Sequence, residues 1–309
     1  MIEGQEGVTW EQWVALARAC EENGVEALFR SDHYLGFHAS GADGSLDCWT
    51  TLAGLAAITS TLRLGSLVSP VTFRHPSVLA RAAATADHVS GGRIELGIGG
   101  GWMEAEHKAF GFPFPETHVR MDLLAEQLEI VHRQWTEESF DFHGRHYQLE
   151  GCTALPKPVQ QPHPPLIVGG SGRAGTIGPA VRWADEYNTT FPNEDEVVTR
   201  RRWLLSECER QAREPLRFSL MTLCIVGADE AEFSERARGV YELAQRDTGF
   251  DDWLAGRRER GILGTVDQVV ARLQRLAELG VDGVMLQHLR HDDLESVALI
   301  GRELAPAVA

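Results

Sequence analysis

The chain has 309 residues, of which 43% are hydrophobic and 24% charged, and its 45 acidic against 29 basic residues give a net charge of −16. This is the composition of an ordinary soluble protein, and the negative charge argues against nucleic acid or an anionic membrane as a partner, because both attract basic surfaces. No apolar run approaches the ~18 residues of a membrane helix, and five scattered cysteines without a CxxC pair indicate reduced thiols and a cytoplasmic protein.

Short apolar runs alternate with longer amphipathic segments along the whole chain. Helices are predicted where apolar residues recur every three or four positions, and strands where they form short runs. In chain order the predicted elements are helix 10–22, strand 27–29, helix 49–58, strand 62–71, helix 76–89, strand 94–98, helix 121–135, a hairpin over 140–149, strand 166–168, helix 176–183, strand 186–189, helix 195–213, strand 218–226, helix 231–245, an irregular polar segment 247–261, helix 265–279, strand 283–286 and a last helix ending near 304.

The regular alternation of strands and helices predicts one domain over residues 1–309. Such a pattern is typical of a (β/α)8 TIM barrel, with parallel strands inside and helices outside. The first strand is the difficulty, because only "MIE" precedes the turn "GQEG". Either the given start lies inside that strand, or the barrel tolerates a stub. We therefore expect a barrel with a very short first strand and insertions, such as 36–47 and 247–261, at its C-terminal mouth.

Active sites of such barrels lie at the C-terminal ends of the strands. Asp32 and His33 directly follow the strand 27–29. Imidazole titrates near neutral pH and suits proton transfer, so this pair is a candidate general acid and base; the alternative is a solvated turn. We predict no metal site, since HExxH and an HxH after the first strand are absent. GxSxG is absent too, and no cysteine lies at a strand end.

A glycine-rich loop follows the strand 166–168, in the segment "VGGSGRAG". Glycines between a strand and a helix let backbone N–H groups approach an anion such as phosphate. Arg173 and Thr176 could add side-chain donors. The alternative is a tight turn required only by the backbone geometry. The candidate phosphate-binding residues are Gly169, Gly170, Ser171 and Gly172.

A second glycine loop, "GIGGGW", follows the strand 94–98 and contains Gly100, Gly101 and Trp102. Glycine at these positions would let a flat ring lie against the backbone, with Trp102 stacking on the ring or walling the site. The alternative is a turn at the barrel mouth in which Trp102 fills the core. Consecutive glycines cost folding entropy, which favours the functional interpretation.

Four blocks of sequence together resemble the bacterial luciferase-like superfamily. They are "FRSDHY", "LGSLVSPVTFRHPSVLARAAATADHVSGGRIELGIGGGWMEAEHKAFGFPF", "LPKPVQQPHPPLIVGGSG" and "GTVDQVVARLQRLAELGVDGVMLQ". Within the superfamily the chain is most similar to enzymes that use coenzyme F420, an 8-hydroxy-5-deazaflavin. Members that use flavin mononucleotide (FMN) share the scaffold and some of the motifs.

The resemblance implies a barrel that binds a flavin-type ring in its mouth. The phosphate of the cofactor would lie on the loop that contains Gly170. The family's bulge behind the ring, often with a non-proline cis peptide, corresponds to Leu67 and Val68, and its second glycine loop to Gly100 and Gly101. These residues are therefore expected to bind the cofactor.

The resemblance also implies the catalytic residues. F420-dependent members carry an Asp-His pair that corresponds to Asp32 and His33, with the histidine near the hydride-transferring carbon as proton donor or as stabiliser of the reduced cofactor. Counting without gaps places the family's glutamate at Glu6 and its aromatic residue at Phe37. The branch that oxidises sugar phosphates has tryptophan where this chain has Phe37, so the resemblance identifies no substrate.

Three functions follow from these expectations. The first is an oxidoreductase that transfers hydride between F420 and a small organic substrate. The second is an FMN-dependent monooxygenase that receives reduced FMN from a separate flavin reductase and uses oxygen. The third is a barrel that binds such a cofactor without catalysis. A homodimer is plausible for each, since dimers are common in the superfamily.

Overall fold

A computed structural model of the protein describes residues 1–36, 44–172, 175–243 and 248–308. Its strands are β1 (Ala27–Arg30), β2 (Arg63–Pro70), β3 (Ile94–Gly99), β4 (Phe140–His143), β5 (Gln148–Cys152), β6 (Leu166–Gly169), β7 (Glu186–Thr190), β8 (Arg217–Gly227), β9 (Ile262–Thr265) and β10 (Gly283–Gln287). Its helices are α1 (Trp10–Glu22), α2 (Cys48–Ile58), α3 (Pro76–Ser90), α4 (Glu104–Phe110), α5 (Thr117–Thr136), α6 (Ile177–Trp183), α7 (Glu194–Arg210), α8 (Glu230–Leu243), α9 (Phe250–Arg258), α10 (Val266–Glu278), α11 (Leu294–Leu299), a π-helical turn (Ile300–Leu304) and α12 (Ala305–Val308).

The parallel strands follow one another in the order β1, β2, β3, β6, β7, β8 and β10. Ile2 connects the two ends of this sheet, because it forms bridges to both Arg30 and His288. The N–H of Ile2 donates to the carbonyl of Phe29, and the N–H of His288 donates to the carbonyl of Met1, each at 2.9 Å. The predicted (β/α)8 barrel is therefore confirmed, and Met1 and Ile2 take the position of its first strand.

The helices begin and end at residues whose backbone chemistry the sequence displays. Thr9 and Gln12 form a capping box at the start of α1, each side chain accepting from the other's backbone N–H. Pro76 occupies the first turn of α3, where a missing N–H costs no hydrogen bond. Gly91 ends that helix with φ of 69°, a left-handed conformation that glycine adopts without strain. Helices α1 and α3 match the predicted ones to within one residue, whereas α5 begins four residues earlier and α7 ends three residues earlier than predicted.

One predicted segment is wrong. The polar stretch 247–261 is not irregular, because residues Phe250–Arg258 form helix α9. The strand β9 that follows it, Ile262–Thr265, pairs with β8 and was not predicted. The helix has only two turns, and the spacing of Phe250, Trp253 and Leu254 gives it one short apolar face. Helix α4 was not predicted either. Both helices lie at the barrel mouth and contribute to the site described below.

The apolar side chains form one large core between the sheet and its surrounding helices, and a smaller cluster around Leu67. A separate cluster of β8, β9, α8 and α9 lies on the face of β8 opposite the large core. The separate cluster contains Leu223, Phe233, Val240, Trp253 and Leu263. All five cysteines lie in described segments and are free thiols. None of the helices in the described segments combines the length and the apolar character that crossing a membrane requires.

Candidate active site

A cavity of 830 Å³ opens at the C-terminal ends of the barrel strands. Its volume lies in the range of small-molecule and cofactor pockets, about 300–1,000 Å³. All but one of the predicted catalytic and cofactor-binding residues that the structure describes line it, whereas the expected aromatic and donor residues Phe37 and Arg173 lie outside the described residues. The predicted catalytic and cofactor-binding residues that line it are Glu6, His33, Leu67, Val68, Gly100, Gly101, Trp102, Gly169, Gly170, Ser171 and Gly172. The structure thus brings together residues that lie up to 166 positions apart in the sequence, Glu6 and Gly172 being the most distant pair.

The floor of the cavity contains a bulge in β2. The pairing of β2 with β3 shifts register at Leu67 and Val68, and the peptide bond between these two residues is cis. The Val68 side chain occupies the space that side chains would take on the neighbouring strands. A Cβ on Gly99 would lie 2.5 Å from one Val68 methyl, and a Cβ on Gly169 would lie 2.8 Å from the other. Glycine is therefore required at positions 99 and 169 beside the bulge. Because these two residues have no side chains, the floor of the cavity stays flat.

Two hydroxyl groups fix the shape of the glycine loop after β6. Thr176 Oγ1 donates to the carbonyl of Gly172 at 2.9 Å and lies 3.0 Å from the Tyr187 hydroxyl. A Cβ on Gly170 would come within 2.8 Å of both hydroxyl oxygens. Thr176 therefore shapes the loop instead of offering a free donor to a ligand. Arg173, the other predicted donor, lies outside the described residues.

His33 points into the cavity and is held by a buried carboxylate. Its Nδ1 lies 2.9 Å from Oε2 of Glu106, whose side chain is 0% exposed. Burial on its own would lower the pKa of His33, but the hydrogen bond and the charge of Glu106, aided by the charges of Glu3 and Asp32, outweigh burial and raise it. The pKa of Glu106 is lowered, since His33 and backbone N–H groups outweigh its burial. The pair favours a protonated imidazole beside the cavity.

Glu106 also fixes the backbone that carries His33. Its other oxygen, Oε1, accepts from the N–H of Tyr34 and from the N–H of Leu35, the latter at 3.0 Å. Sequence reasoning missed Glu106, which lies 73 positions from His33 on helix α4. The sequence shows only an acidic residue about one turn after the glycine loop. Acidic residues are common in the first turn of a helix, where they interact favourably with the helix dipole, so this position did not identify Glu106 as a partner of His33.

Asp32 is the predicted residue that does not line the cavity. Its Oδ2 accepts from Ser69 Oγ at 2.7 Å and from Arg74 Nη1 at 2.6 Å. Arg74 also contacts Asp47 at 2.8 Å. The carboxylate is 1% exposed and pairs with Arg74 rather than with His33. Its predicted catalytic role stays a prediction, and the contacts describe an anchor for the loop after β1.

Two glutamates face the cavity from the stub. Glu6 lines it as expected from the ungapped count. Glu3, which the sequence did not single out, is 7% exposed and accepts from Gln5 Nε2 at 2.9 Å and Gln287 Nε2 at 2.6 Å. This side of the cavity is therefore negatively charged. Phe37, the predicted aromatic neighbour, lies outside the described residues.

Trp102 lies at the cavity rim and is 64% exposed. Its ring centre is 5.8 Å from that of His33, with the two planes at 76°. The interpretation of Trp102 as core filler is therefore wrong, and its ring forms part of the cavity rim beside His33.

In the described segments, no three histidine, cysteine, aspartate or glutamate side chains are grouped so that they could hold a metal ion. Asp87 accepts from the backbone N–H groups of Val159 and Gln160 at 2.7 and 3.0 Å, so its carboxylate holds the segment before β6.

A sequence profile of the luciferase-like monooxygenases matches residues 2–283. The FMNH2-dependent dimethylsulfone monooxygenase of Pseudomonas putida is 27% identical over 95% of this chain and 86% of its own length. The F420-dependent glucose-6-phosphate dehydrogenase of Nakamurella multipartita is 36% identical over 60% of this chain and 53% of its own. In structure, the coenzyme F420-dependent tetrahydromethanopterin reductase of Methanopyrus kandleri superimposes with a TM-score of 0.82 and 19% identity, covering 100% and 98% of the two chains.

Proposed function

This chain belongs to the luciferase-like monooxygenase family, and from that premise we propose that it is an oxidoreductase which transfers hydride between coenzyme F420 and a small organic substrate. Its relatives include enzymes named for F420 and for reduced FMN, which supports a cofactor of the deazaflavin or flavin type. The feature that favours the deazaflavin is the Asp-His pair after β1, with His33 in the cavity beside the floor.

The residues present fit a flat ring with a phosphate-bearing side chain. The floor at Leu67 and Val68 is kept clear of side chains by Gly99 and Gly169, and a Cβ on Gly170 would fill the neighbouring loop. Backbone N–H groups of such a loop would hold the phosphate. When bound, F420 supplies a carbon that accepts or gives a hydride, as a nicotinamide does.

His33 would hold the proton that accompanies the hydride. Its Nδ1 is engaged by Glu106 at 2.9 Å, which directs Nε2 away from that carboxylate. Because Glu106 raises the pKa of His33, the imidazole is charged over a wider pH range and can donate a proton or stabilise a developing negative charge beside it. The His33–Glu106 pair is the observation that carries this proposal.

Equilibrium titrations of the purified protein with F420 and with FMN test the choice of cofactor. We expect F420 to bind, and His33→Ala to retain binding while losing at least a hundredfold in hydride transfer, which is the usual order for a general acid. The exposed His143→Ala serves as the matched control and should behave as wild type. Tight FMN binding with no F420 binding would overturn the proposal.

An FMN-dependent monooxygenase supplied by a separate flavin reductase is the second candidate. It is favoured by the relative that covers nearly the whole chain and is named for FMNH2. The same floor and glycine loop would serve that cofactor. Oxygen consumption with reduced FMN, matched mole for mole by an oxygenated product, would establish this function instead.

A further inference from the structure

The cavity has a second region, away from the glycine loops, with an apolar wall. The wall is formed by the end of β7, by β8, by the facing sides of α8 and α9, and by the segment after β10. Its apolar lining residues are Phe191, Leu223, Val240, Leu243, Trp253 and Leu289. We call this region the apolar chamber.

The chamber wall is packed independently of the barrel core. Leu223, Val240 and Trp253 belong to the separate cluster of β8, β9, α8 and α9, and they are 4%, 4% and 7% exposed. Phe191 and Leu289 pack against the same cluster. A wall with its own buried core keeps its shape without a ligand, so the chamber is preformed.

Phe191 forms the boundary between the chamber and the cavity floor. It packs against the wall cluster and also against the cluster that contains Leu67 and the Val68 side chain. Its φ of 45° lies in the left-handed region, which is unusual for an aromatic residue. Its N–H donates to Met221 O at 2.9 Å and its carbonyl accepts from Arg260 at 2.7 Å. The surrounding fold enforces this conformation, as it does at many ligand-contacting positions.

The charges around the chamber do not favour an anionic substrate. The described basic side chains that line this side of the cavity are Arg257 and His291, and each already interacts with another group of the protein. Glu3 and Glu6 on the opposite side would repel an anion. A charged group enclosed without a partner is strongly disfavoured, whereas hydrocarbon gains by leaving water.

We propose that the apolar chamber binds the hydrocarbon body of an uncharged substrate, with the substrate's polar reacting group directed toward His33. The proposal rests on the proposed function to the extent that the cofactor ring occupies the floor. It predicts that phosphorylated sugars and carboxylates bind less tightly than uncharged substrates, and that the wall between Phe191 and Trp253 selects the substrate.

Two probes of equal ring size test the chamber. They are 4-tert-butylcyclohexanone, which is uncharged, and 4-oxocyclohexanecarboxylate, which is anionic. Dissociation constants are measured by calorimetry, without turnover, on the protein saturated with F420 and in parallel with FMN. We expect the uncharged ketone to bind at least tenfold more tightly than the carboxylate.

Leu243→Lys places a cation at the chamber rim. Leu243 is 45% exposed, so the substitution is compatible with folding. We expect Leu243→Lys to weaken binding of the uncharged ketone severalfold and to tighten binding of the carboxylate. Leu155→Lys, at a 67% exposed leucine that does not line the cavity, is the matched control and should change neither constant.

Equal or tighter binding of the carboxylate to wild type would overturn the chamber proposal, as would identical constants for Leu243→Lys and Leu155→Lys. Failure of the cofactor proposal looks different. In that case F420 does not bind, whereas the tenfold preference for the uncharged ketone persists with FMN. Loss of the preference while F420 still binds would refute the chamber alone.

Discussion

Glu106→Gln isolates the contribution of one buried charge to the chemistry of His33. Glutamine keeps an oxygen that can accept from the N–H groups of Tyr34 and Leu35, so the turn after β1 is retained. It replaces the oxygen that faces His33 Nδ1 at 2.9 Å by an NH2 group, which cannot accept. The substitution therefore removes the charge and the charge-assisted hydrogen bond together and leaves the packing volume unchanged.

The size of the effect follows from the burial of the pair. A hydrogen bond to a charged partner is worth about 1.5–3 kcal/mol, and about 1.4 kcal/mol corresponds to a factor of ten. With Glu106 at 0% and His33 at 15% side-chain exposure, solvent screens the pair only weakly. At a fixed pH the ratio of protonated to neutral His33 should therefore fall by about tenfold or more in Glu106→Gln.

Long-range 1H–15N correlation of the imidazole rings measures that ratio directly, with the His33 signals identified by their loss in His33→Gln. The sign is fixed by the raised pKa of His33: the protonated form is present at low pH and is lost as pH rises through that pKa. In Glu106→Gln the loss of the protonated form of His33 should move to lower pH. The alkaline limit of hydride transfer should move to lower pH with it. Glu104→Gln, an exposed glutamate on the same helix, is the control.

An unchanged titration of His33 in Glu106→Gln would refute the reasoning, because it would mean that the Glu106 carboxylate does not control the protonation of the imidazole ring. So would an equal change in Glu104→Gln, since the effect would then be one of overall charge. The titration needs no cofactor, so it stands whether F420 or FMN binds the cavity.

Three further outcomes are expected. Gly170→Ala should weaken cofactor binding at least tenfold in an equilibrium titration, because its Cβ collides with the hydroxyl groups of Thr176 and Tyr187 that shape the loop. In the control Gly256→Ala the added Cβ meets open space, so cofactor binding should not weaken. Equal affinities of the two variants would contradict this prediction. Burial lowers the pKa of His288 to about 4, so protonation opposes folding, and stability should fall by roughly 2 kcal/mol as pH drops from about 6.5 to 5. Urea unfolding should show a smaller fall for His288→Gln and an unchanged one for the exposed His143→Gln. Ala212 has a φ of 52°, in the left-handed region that glycine adopts without strain. Ala212→Gly should therefore raise the free energy of unfolding by about 0.5–1 kcal/mol, and an unchanged value would contradict this prediction.

The fold was predictable because its elements carry strong local signals. Strands such as β6 are continuous apolar runs, as expected where both faces are buried. Helix starts are marked at Thr9 and Pro76 by capping chemistry. Helix α9 carried no comparable signal, because two turns offer too few positions for a period to emerge. Its apolar face is explained only by the cluster against which Trp253 packs.

The parts of the site that were predictable are those carried by backbone geometry. Glycine at 169 and 170 is required by neighbouring atoms within 3 Å, and the sequence displays that requirement as a run of glycines. Glu106 and Phe191 are different, since each acts through a contact between elements remote in sequence. Such contacts have no local pattern, and a single sequence leaves Glu106 indistinguishable from an acidic residue at a helix start.

The neighbours Asp32 and His33 show why adjacency in sequence does not imply a shared task. Where a strand ends, successive side chains point to opposite sides. His33 therefore turns into the cavity, whereas Asp32 turns outward to Arg74 and Ser69. The carboxylate that hydrogen-bonds to His33 comes instead from Glu106 on α4. Asp32 contributes its charge, which helps to raise the pKa of His33, while its contacts with Arg74 and Ser69 anchor the loop after β1.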